Sequence, residues 1–296
     1  MEMKNISKHF SGVKALDKIQ FDLRKGEIHS LLGENGAGKS TMIKILAGIH
    51  TPTEGQIFIN GKEVKIEKVS DAKELGISVI HQELSLVPYM TVAENIYLGR
   101  MPSKKSGFVD DRKLEADAYK VLERLGVQDV IHVNDYPANL TVAQQQMVEI
   151  ARALSVDSKI LIMDEPTAGL DVEARNEILD MLRAYIAEDE SRSILITSHI
   201  STDLESLCDE LYLIHDGKLI LHEGTDAILE QYGILKVSEE QYRTLDQSSI
   251  LKVQKENYGY ACFTDDKKFY QENYPQIAVE NGGIDELILM MTGGYR

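Results

Sequence analysis

The stretch between residues 140 and 171 begins Leu-Thr-Val-Ala-Gln-Gln-Gln (140–146) and ends Met-Asp-Glu-Pro-Thr-Ala-Gly-Leu-Asp (163–171). A hydroxyl residue before the first apolar position marks the start of a helix, and the spacing that follows is typical of an amphipathic helix. The run Ile-Leu-Ile-Met (160–163) predicts a buried strand, and two adjacent carboxylates follow it directly. This order predicts a strand–helix fold that carries acidic side chains at the carboxyl end of a strand.

The composition is ordinary for a globular protein. The 296 residues are 43% apolar and 27% charged, which is enough for one large domain or two modest ones. With 32 basic and 48 acidic residues the formal net charge is −16, so the bulk charge repels nucleic acid and anionic lipid surfaces, and we expect no nucleic-acid partner.

The lack of a recognisable targeting signal and the cysteine usage predict a cytosolic chain. No apolar run approaches the roughly 20 residues needed to cross a bilayer. Residues 1–7 lack the apolar core of a secretory signal. Cys208 and Cys262 lie far apart, fit no metal spacing and are expected to be free thiols in a reducing compartment.

Strand and helix patterns alternate along the chain. Alternating apolar residues over 6–23 predict antiparallel strands with one solvated face. Short apolar runs, separated by helical patterns, predict buried strands at 27–32, 76–81, 160–163, 193–197 and 211–215. We therefore expect an α/β domain over residues 1–225, with a mainly parallel sheet, an antiparallel β subdomain and a helical insertion at about 84–157.

The chain after residue 225 has a different pattern. Residues 232–264 predict strands and turns, and residues 284–292 predict a short apolar helix. We expect residues 226–296 to form a small α+β appendage without chemistry of its own. Tyr258, Tyr260 and Phe263 lie at alternating or nearby positions, and the tyrosines are expected to pack in a core rather than to form a ligand platform.

A phosphate-binding loop lies between a predicted strand and the helix that follows it. Residues 33–41, Gly-Glu-Asn-Gly-Ala-Gly-Lys-Ser-Thr, match the pattern G-x-x-x-x-G-K-[ST] in full. The glycines let successive backbone N–H groups point at phosphate oxygens, and the helix adds its positive N-terminal end. Lys39 supplies a mobile cation for the β- and γ-phosphates, and Ser40 supplies a hydroxyl for Mg²⁺. The residues expected to contact the nucleotide are Gly33, Asn35, Gly36, Gly38, Lys39, Ser40 and Thr41.

The phosphate-binding loop (P-loop) alone does not distinguish a kinase, a GTPase and an ATPase. Two carboxylates further along the chain help to distinguish these classes. Asp164 ends a strand and is placed to hold Mg²⁺ through water. Glu165, past the strand end, is placed near the γ-phosphate as a general base or water-positioning group. The alternative, solvated acids at the tip of an ordinary strand, is the weaker interpretation beside a complete P-loop.

The order of these motifs resembles that of the ATP-binding-cassette (ABC) ATPases, over roughly residues 1–225. The resemblance implies ATP and Mg²⁺ as ligands. Gln82, in Ile-His-Gln-Glu, resembles the glutamine that senses Mg²⁺ and water, and His199, in Thr-Ser-His, resembles the switch histidine that contacts the γ-phosphate. Phe10 matches the aromatic residue that stacks on adenine, with core packing as the rival interpretation. The expected Mg²⁺ contacts are then Ser40, Gln82 and Asp164, and the expected catalytic residues are Glu165, His199, Lys39 and Gln82.

The resemblance also predicts a dimer. Two such domains bind head to tail, so the signature segment of one closes over the P-loop of the other and two ATP molecules are enclosed. The signature here is Leu-Thr-Val-Ala-Gln in place of Leu-Ser-Gly-Gly-Gln, and Thr141 and Gln144 are expected to meet the partner's ATP. Asp171 would lie at the seam and tie the two sites together. ATP binding would favour the pair, and hydrolysis would release it.

Two subfamilies contribute to the resemblance. Up to about residue 166, including Thr-Val-Ala-Glu-Asn-Ile-Tyr-Leu-Gly-Arg (91–100), the chain resembles monosaccharide-import ATPases, whose chains usually carry two cassettes. From about Thr167, including Ile-Ser-Thr-Asp-Leu-Glu (200–205), it resembles single-cassette ATPases of ABC-2 type exporters. The sequence is compatible with both a natural recombinant and an engineered chimera, and this question stays open. The cargo, the direction of transport and whether the two paired domains are identical stay open as well.

The leading interpretation is an ATP-hydrolysing subunit of an ABC transporter that drives a separate integral membrane subunit. The helical insertion around residues 84–100 is the expected docking surface, which places the chain in the cytoplasm, peripherally on the inner face of the cell membrane. Two alternatives stay open: an ABC ATPase associated with ribosomes or DNA, and a folded chimera without a transport partner. The first usually has a second cassette, a long coiled-coil insertion or basic extensions, and the sequence shows none of these.

Overall fold

Strands and helices alternate through most of the chain. The computed structural model describes residues 1–156, 158–198 and 201–292, with the side chains of these residues except those at 201, 202 and 290. Its strands are Glu2–Phe10 (β1), Val13–Asp22 (β2), Ile28–Leu32 (β3), Glu54–Ile59 (β4), Lys62–Val64 (β5), Ile77–Ile80 (β6), Ile160–Asp164 (β7), Ser193–Thr197 (β8), Glu210–His215 (β9), Lys218–Gly224 (β10), Gly233–Val237 (β11), Ile250–Glu256 (β12), Gly259–Thr264 (β13) and Ala278–Asn281 (β14). Its α-helices are Lys39–Leu46 (α1), Val69–Glu74 (α2), Val92–Ile96 (α3), Asp111–Arg124 (α4), Val142–Leu154 (α5), Val172–Ala187 (α6), Ser201–Leu207 (α7), Thr225–Gln231 (α8), Glu239–Thr244 (α9), Lys267–Asn273 (α10) and Ile284–Thr292 (α11). Within the described ranges, none of the helices is long and apolar enough to cross a membrane.

A six-stranded central sheet has the order β10-β9-β3-β8-β7-β6. Its strands run parallel from β9 to β6, and β10 pairs antiparallel with β9 at one edge. β3, β7 and β8 are buried along their whole length, as is usual for a parallel sheet covered on both faces. The prediction of a mainly parallel sheet is confirmed. The carboxyl ends of β3, β7 and β8 therefore meet at the same edge of the sheet.

The N-terminal strands form a second, antiparallel sheet with the order β2-β1-β4-β5. The turn between β4 and β5 has positive φ at Asn60 (51°) and Gly61 (75°), as a two-residue type I′ hairpin requires. Met3 and Ile57 of this sheet share a core with Ile43 of α1 and with residues of the central sheet. This core packs α1 against both sheets and so fixes the position of the loop that precedes α1.

α3, α4 and α5 form the helical insertion between β6 and β7. The predicted helical spacing is confirmed in α4, where Leu114, Ala118 and Leu122 are buried. They belong to a core that includes Ile96 of α3, Ile150 of α5 and residues of the central sheet. The insertion is therefore joined to the sheet by apolar packing.

The C-terminal region forms a third sheet with the order β12-β13-β11-β14, in which every pair is antiparallel. With α9 and α10, the chain order is strand–helix–strand–strand–helix–strand, which is the ferredoxin-like arrangement. One face of the sheet packs Leu235 and Cys262 with Tyr270 of α10. The other face places Ile234 and Phe263 in the same core as the central sheet. The appendage is α+β, and it is packed against the preceding domain.

Two expectations for this region need correction. Residues 232–264 contain a helix, α9, in addition to strands and turns; it begins at Ser238, whose hydroxyl accepts from the N–H of Gln241. Tyr258 is 98% exposed rather than part of a core, because it lies in the turn between β12 and β13. Phe263, by contrast, is fully buried.

α11, predicted at residues 284–292, returns the chain to the preceding domain. The N–H of Ile284 donates to Glu205 Oε1 of α7 at 3.2 Å, and Leu287 is buried in the core of the central sheet. At the other end of the helix, Thr292 Oγ1 lies 3.3 Å from Glu34 Oε1. The C-terminal region thus contacts both α7 and the loop that follows β3.

Candidate nucleotide site

The glycine-rich loop of residues 33–41 connects β3 to α1 and depends on two glycines for its course. Gly33 and Gly38 have φ of 150° and 121°, values that L side chains rarely adopt. A Cβ at Gly33 would lie 2.3 Å from the carbonyl oxygen of Ile214, and a Cβ at Gly38 would lie 2.9 Å from that of Ala15. Neither position accepts a side chain, which fits the predicted phosphate-binding loop.

Lys39, the first residue of α1, reaches back into this loop. It is only 7% exposed, and its Nζ donates to the carbonyl oxygens of Gly33 at 2.5 Å and Glu34 at 3.2 Å. Burial lowers the pKa of Lys39 below its ordinary value, against an opposing effect of the carboxylates of Glu165 and Asp164. Phosphate oxygens are stronger acceptors than these carbonyls, so the ammonium group can exchange one set of partners for the other.

Asp164 and Glu165 stand at the carboxyl end of β7. Asp164 is 9% exposed, and its Oδ1 accepts a hydrogen bond from the Thr197 hydroxyl at 2.7 Å. Glu165 has a left-handed backbone conformation, with φ of 52°, which is uncommon for residues other than glycine, asparagine and aspartate. The chain therefore leaves the strand direction abruptly after Asp164.

The loop and the two carboxylates line one cleft. It has a volume of about 520 Å³ and is lined by Gly33, Glu34, Asn35, Gly36, Gly38, Lys39, Ser40, Thr41, Gln82, Asp164 and Glu165. Gln82 reaches the cleft from the segment after β6, which is the strand beside β7. The structure thus brings together the predicted P-loop residues, Gln82 and both carboxylates. His199, the remaining predicted catalytic residue, lies outside the described residues.

The predicted Mg²⁺ contacts, Ser40, Gln82 and Asp164, all line this cleft. Within the described part of the chain, no group of three or more His, Cys, Asp or Glu side chains could hold a metal ion. The donors fit Mg²⁺, because this ion is usually held by one or two protein oxygens together with substrate phosphates and water. They do not resemble a structural zinc site, which uses cysteine and histidine ligands.

Phe10, the predicted adenine contact, stands apart from the residues that line the cleft. It ends β1 and is 41% exposed. Its ring makes an edge-on contact with His50, with 5.2 Å between the ring centroids, and Lys8 Nζ lies 5.2 Å from the ring centroid. This exposure argues against the rival interpretation of Phe10 as a core residue. Stacking on adenine stays a prediction.

Thr141, Gln144 and Asp171 cap helices outside the cleft. Thr141 Oγ1 accepts from the N–H of Gln144 at 3.2 Å, and Gln144 Oε1 accepts from the N–H of Thr141 at 3.0 Å, which forms a capping box at the start of α5. Asp171 caps α6 by accepting from the N–H of Ala174 at 2.9 Å. The predicted helix start at Thr141 is confirmed, whereas contact of these three residues with a partner's nucleotide stays a prediction.

Three residues outside the predicted set organise the surroundings of the cleft. Thr197 contacts the carboxylate of Asp164 and the backbone N–H of Glu165. Glu149 of α5 is 8% exposed and accepts from the N–H and the hydroxyl of Ser85. Asn95 of α3 is fully buried and bonds to backbone groups of residues 87–91. A hydroxyl at the end of an apolar run is a signal by which Thr197 could be found, whereas nothing in the sequence marks Glu149, whose partner lies 64 positions away.

Relatives of known sequence are ATP-binding proteins. Residues 16–168 match the family described as ABC transporter. A ribose import ATP-binding protein of Streptomyces avermitilis is 46% identical over 220 residues, which cover 74% of this chain and 41% of that protein. A putative ribose/galactose/methyl galactoside import ATP-binding protein of Geobacillus kaustophilus is 45% identical over 221 residues, which cover 74% of this chain and 43% of that protein. The chain spans less than half the length of these relatives.

Solved structures of ATP-binding cassettes share the fold. A nucleotide-free ATP-binding cassette from an ABC transporter gives a TM-score of 0.68 at 27% identity, over 75% of this chain and 90% of that chain. A dimeric bacterial ABC transporter cassette gives a TM-score of 0.65 at 26% identity, over 76% of this chain and 98% of that chain. The expected fold class is thereby confirmed. Since the family match covers just over half of the chain and includes both the glycine-rich loop and the two carboxylates, the chain belongs to the ABC transporter family and has the fold of its ATP-binding cassettes.

Proposed function

We propose that the chain binds and hydrolyses ATP as the nucleotide-binding subunit of an ABC transporter and drives transport through a separate membrane subunit. The observation that carries this proposal is the single cleft that joins the P-loop to Gln82, Asp164 and Glu165. A glycine-rich loop alone would suit several classes of P-loop enzyme, whereas a second carboxylate past the strand end supplies a group that can activate water. Membership of the family, and relatives named as import ATP-binding proteins, support the same function.

The residues of the cleft would have separate tasks in hydrolysis. Backbone N–H groups of the loop and the N-terminal end of α1 would bind phosphate oxygens, and Lys39 would exchange its two carbonyl partners for oxygens of the β- and γ-phosphates. Glu165 would orient the attacking water at the γ-phosphate and accept its proton. A magnesium ion held by Ser40, Gln82 and Asp164 would neutralise phosphate charge.

We propose that two cassettes pair head to tail around two ATP molecules. Thr141 and Asp171 cap their helices at exposed positions outside the cleft, which leaves them accessible to a second cassette. A dimeric cassette of similar fold supports such a pairing. In this arrangement Thr141 and Gln144 would meet the partner's ATP, Phe10 would stack on adenine, and His199 would contact the γ-phosphate. ATP would then stabilise the pair, and its hydrolysis would release it.

The proposed docking surface for the membrane subunit is the segment 84–100. A groove of about 490 Å³ is lined by part of this segment, by His81 and by residues of α2 and α5. Asn95 and Glu149 hold the segment through hydrogen bonds to its backbone, so the groove is a formed surface. His81 lines the groove and the next residue, Gln82, lines the nucleotide cleft. A protein element bound in the groove could therefore respond to the state of the cleft through one short segment.

The proposed location is the cytoplasm, peripherally on the inner face of the cell membrane. The formal net charge of −16 gives no attraction to anionic lipid or to nucleic acid, so contact with the membrane would depend on the membrane subunit. Relatives named for ribose and galactose import support an importer, while the segment after Thr167 resembles exporter ATPases. Cargo and direction would be properties of the membrane subunit.

Steady-state hydrolysis of ATP by the purified chain and by Glu165→Gln tests this proposal. We expect Glu165→Gln to lose about a hundredfold in kcat, at the lower end of what general-base catalysis contributes, and to keep its affinity for Mg-ATP. Glu173→Gln neutralises an exposed carboxylate in the first turn of α6 and is the matched control, which should hydrolyse ATP like the wild type. Equal hydrolysis by the wild type and Glu165→Gln would show that Glu165 is not the catalytic carboxylate.

A further inference from the structure

Thr197 ends β8, and its fully buried side chain contacts the carboxylate of Asp164 and the backbone N–H of Glu165. Its hydroxyl donates to Asp164 Oδ1 at 2.7 Å and accepts from the N–H of Glu165 at 3.0 Å. Its carbonyl oxygen also accepts from the N–H of Glu165, at 3.1 Å. The single proton of the hydroxyl is therefore directed at Asp164, while a lone pair of the same oxygen faces Glu165.

The register of the sheet explains this position. β7 and β8 are parallel neighbours, and Asp164 lies opposite Thr197 in the ladder. Both residues end their strands, so Thr197 stands where the chain of β7 departs toward Glu165. A hydroxyl at this position reaches both the carboxylate and the next peptide group, whereas a valine would fill a similar volume and offer neither contact.

The backbone of Glu165 needs such support. A left-handed conformation costs free energy in a residue that carries a Cβ, and it persists where surrounding contacts hold it. The two oxygens of Thr197 share the N–H of Glu165 and so fix the peptide group at the start of the turn. With this turn in place, Glu165 lines the cleft beside Lys39 and Asp164.

We infer that Thr197 is a positioning residue for hydrolysis: it orients the carboxylate of Asp164 and holds Glu165 in the left-handed turn that faces the cleft. This role rests on the proposed ATP hydrolysis, because it acts through the carboxylate that activates water. The direct contacts to the phosphates would come from the loop of residues 33–41 and from Lys39, which lie on another strand connection, so loss of the Thr197 hydroxyl leaves them in place. Thr197 therefore matters for turnover more than for nucleotide affinity.

The segment after Glu165 has a second anchor, which should keep a Thr197 variant folded. The Thr167 hydroxyl donates to Asp203 Oδ2 at 2.8 Å, and both residues are buried. Arg175 Nη1 lies 3.7 Å from Asp203 Oδ1. Loss of the Thr197 hydroxyl thus frees the orientation of the two carboxylates without releasing the whole segment.

The test compares Thr197→Val and Thr197→Ser with the wild-type chain. Thr197→Val should lower kcat about tenfold, as expected for loss of a hydrogen bond to a charged group, while the Kd for ATP changes by less than about twofold. Thr197→Ser keeps the hydroxyl and should recover most of kcat. Ser193→Ala is the matched control, because Ser193 is a buried hydroxyl at the opposite end of β8 whose partner is the carbonyl oxygen of Arg24. It should hydrolyse ATP like the wild type.

A second measurement needs no turnover. Hydrogen exchange of the Glu165 amide in the nucleotide-free chain should be about tenfold faster in Thr197→Val than in the wild type, and unchanged in Ser193→Ala. Unchanged kcat together with unchanged exchange in Thr197→Val would overturn the inference, and so would an equal loss of kcat in Ser193→Ala. A wild-type chain that turns over no ATP would contradict the proposed function instead, and the exchange rates would still decide whether Thr197 holds Glu165.

Discussion

The nucleotide cleft and the N-terminal caps of α5 and α6 both carry motifs of the family. Only in the cleft does the chain bring motif residues from separate segments together. In the cleft, side chains from three separate segments converge: Lys39 from the P-loop, Gln82 from the segment after β6, and Glu165 from the end of β7. At the caps, Thr141 bonds to Gln144 and Asp171 bonds to the N–H of Ala174, so each motif residue is paired within its own turn. The cleft is therefore a cavity lined by several motifs, whereas the two caps are surface positions whose capping hydrogen bonds stay within their own helix starts.

This difference separates the proposed roles of the two regions. The cleft contains the groups proposed to bind phosphate and activate water, so affinity and chemistry should depend on residues of the same chain. The capped helix ends present polar groups at exposed positions, where a second cassette is proposed to contact them. Variants of the cleft should therefore act on a single chain, while variants of the caps should act through the dimer.

Lys39→Ala should have the largest effect, because it removes the buried cation of the cleft. We expect ATP to bind about a hundredfold more weakly, as for the loss of a charge-assisted contact with phosphate. Lys44→Ala, which removes an exposed lysine from the same helix, is the matched control and should bind ATP like the wild type. Isothermal titration with Mg-ATP measures both. Similar affinities for Lys39→Ala and the wild type would contradict the division between cleft and caps.

Phe10→Ala should have a smaller effect and decides whether the cleft extends to the end of β1. Loss of an aromatic ring that stacks on a base should weaken ATP binding about fivefold. Val13→Ala is a matched control, because Val13 is 63% exposed and pairs with Phe10 across the hairpin. The same titration with inorganic triphosphate, which has no adenine, should show no difference between Phe10→Ala and the wild type. A loss of affinity for triphosphate would rule out adenine stacking as the cause.

Variants of Asp171 measure its capping of α6 apart from any dimer, with the smallest expected change. Asp171→Ala should lower the free energy of unfolding by about 1 kcal/mol, because α6 loses its N-cap. Asp171→Asn keeps an acceptor for the N–H of Ala174 and should stay within about 0.5 kcal/mol of the wild type. Urea unfolding of the nucleotide-free chain measures both values. Equal destabilisation by Asn and Ala would show that the charge, rather than the cap, stabilises this helix end.

The parts of the fold that the sequence predicts well are local. The P-loop at 33–41, the buried run at 160–163 and the helix over 284–292 all carry their signals within a few residues. Their positions in the structure confirm those signals, because backbone conformation there follows from glycine and apolar periodicity.

The parts that the sequence does not predict depend on contacts between distant positions. Thr197 meets Asp164 across 33 positions, and Thr292 approaches Glu34 across 258 positions. The ferredoxin-like order of the third sheet is likewise a matter of strand pairing, which short apolar runs do not specify. The aromatic character of Tyr258 predicts a core position, but its place in a hairpin turn leaves it exposed.

The most direct test of the central claim mixes two inactive variants. Lys39→Ala should disable the proposed phosphate site, and Thr141→Arg should disable the proposed contact with a partner's ATP, while Thr141→Ser keeps the cap and serves as a control for α5. If each ATP site is built from two chains, a heterodimer of the two variants contains one intact site. An equimolar mixture should then recover roughly a quarter of the wild-type ATPase rate, although each variant alone is inactive. A mixture no more active than the average of the two separate variants, or full activity of Thr141→Arg alone, would contradict the shared site.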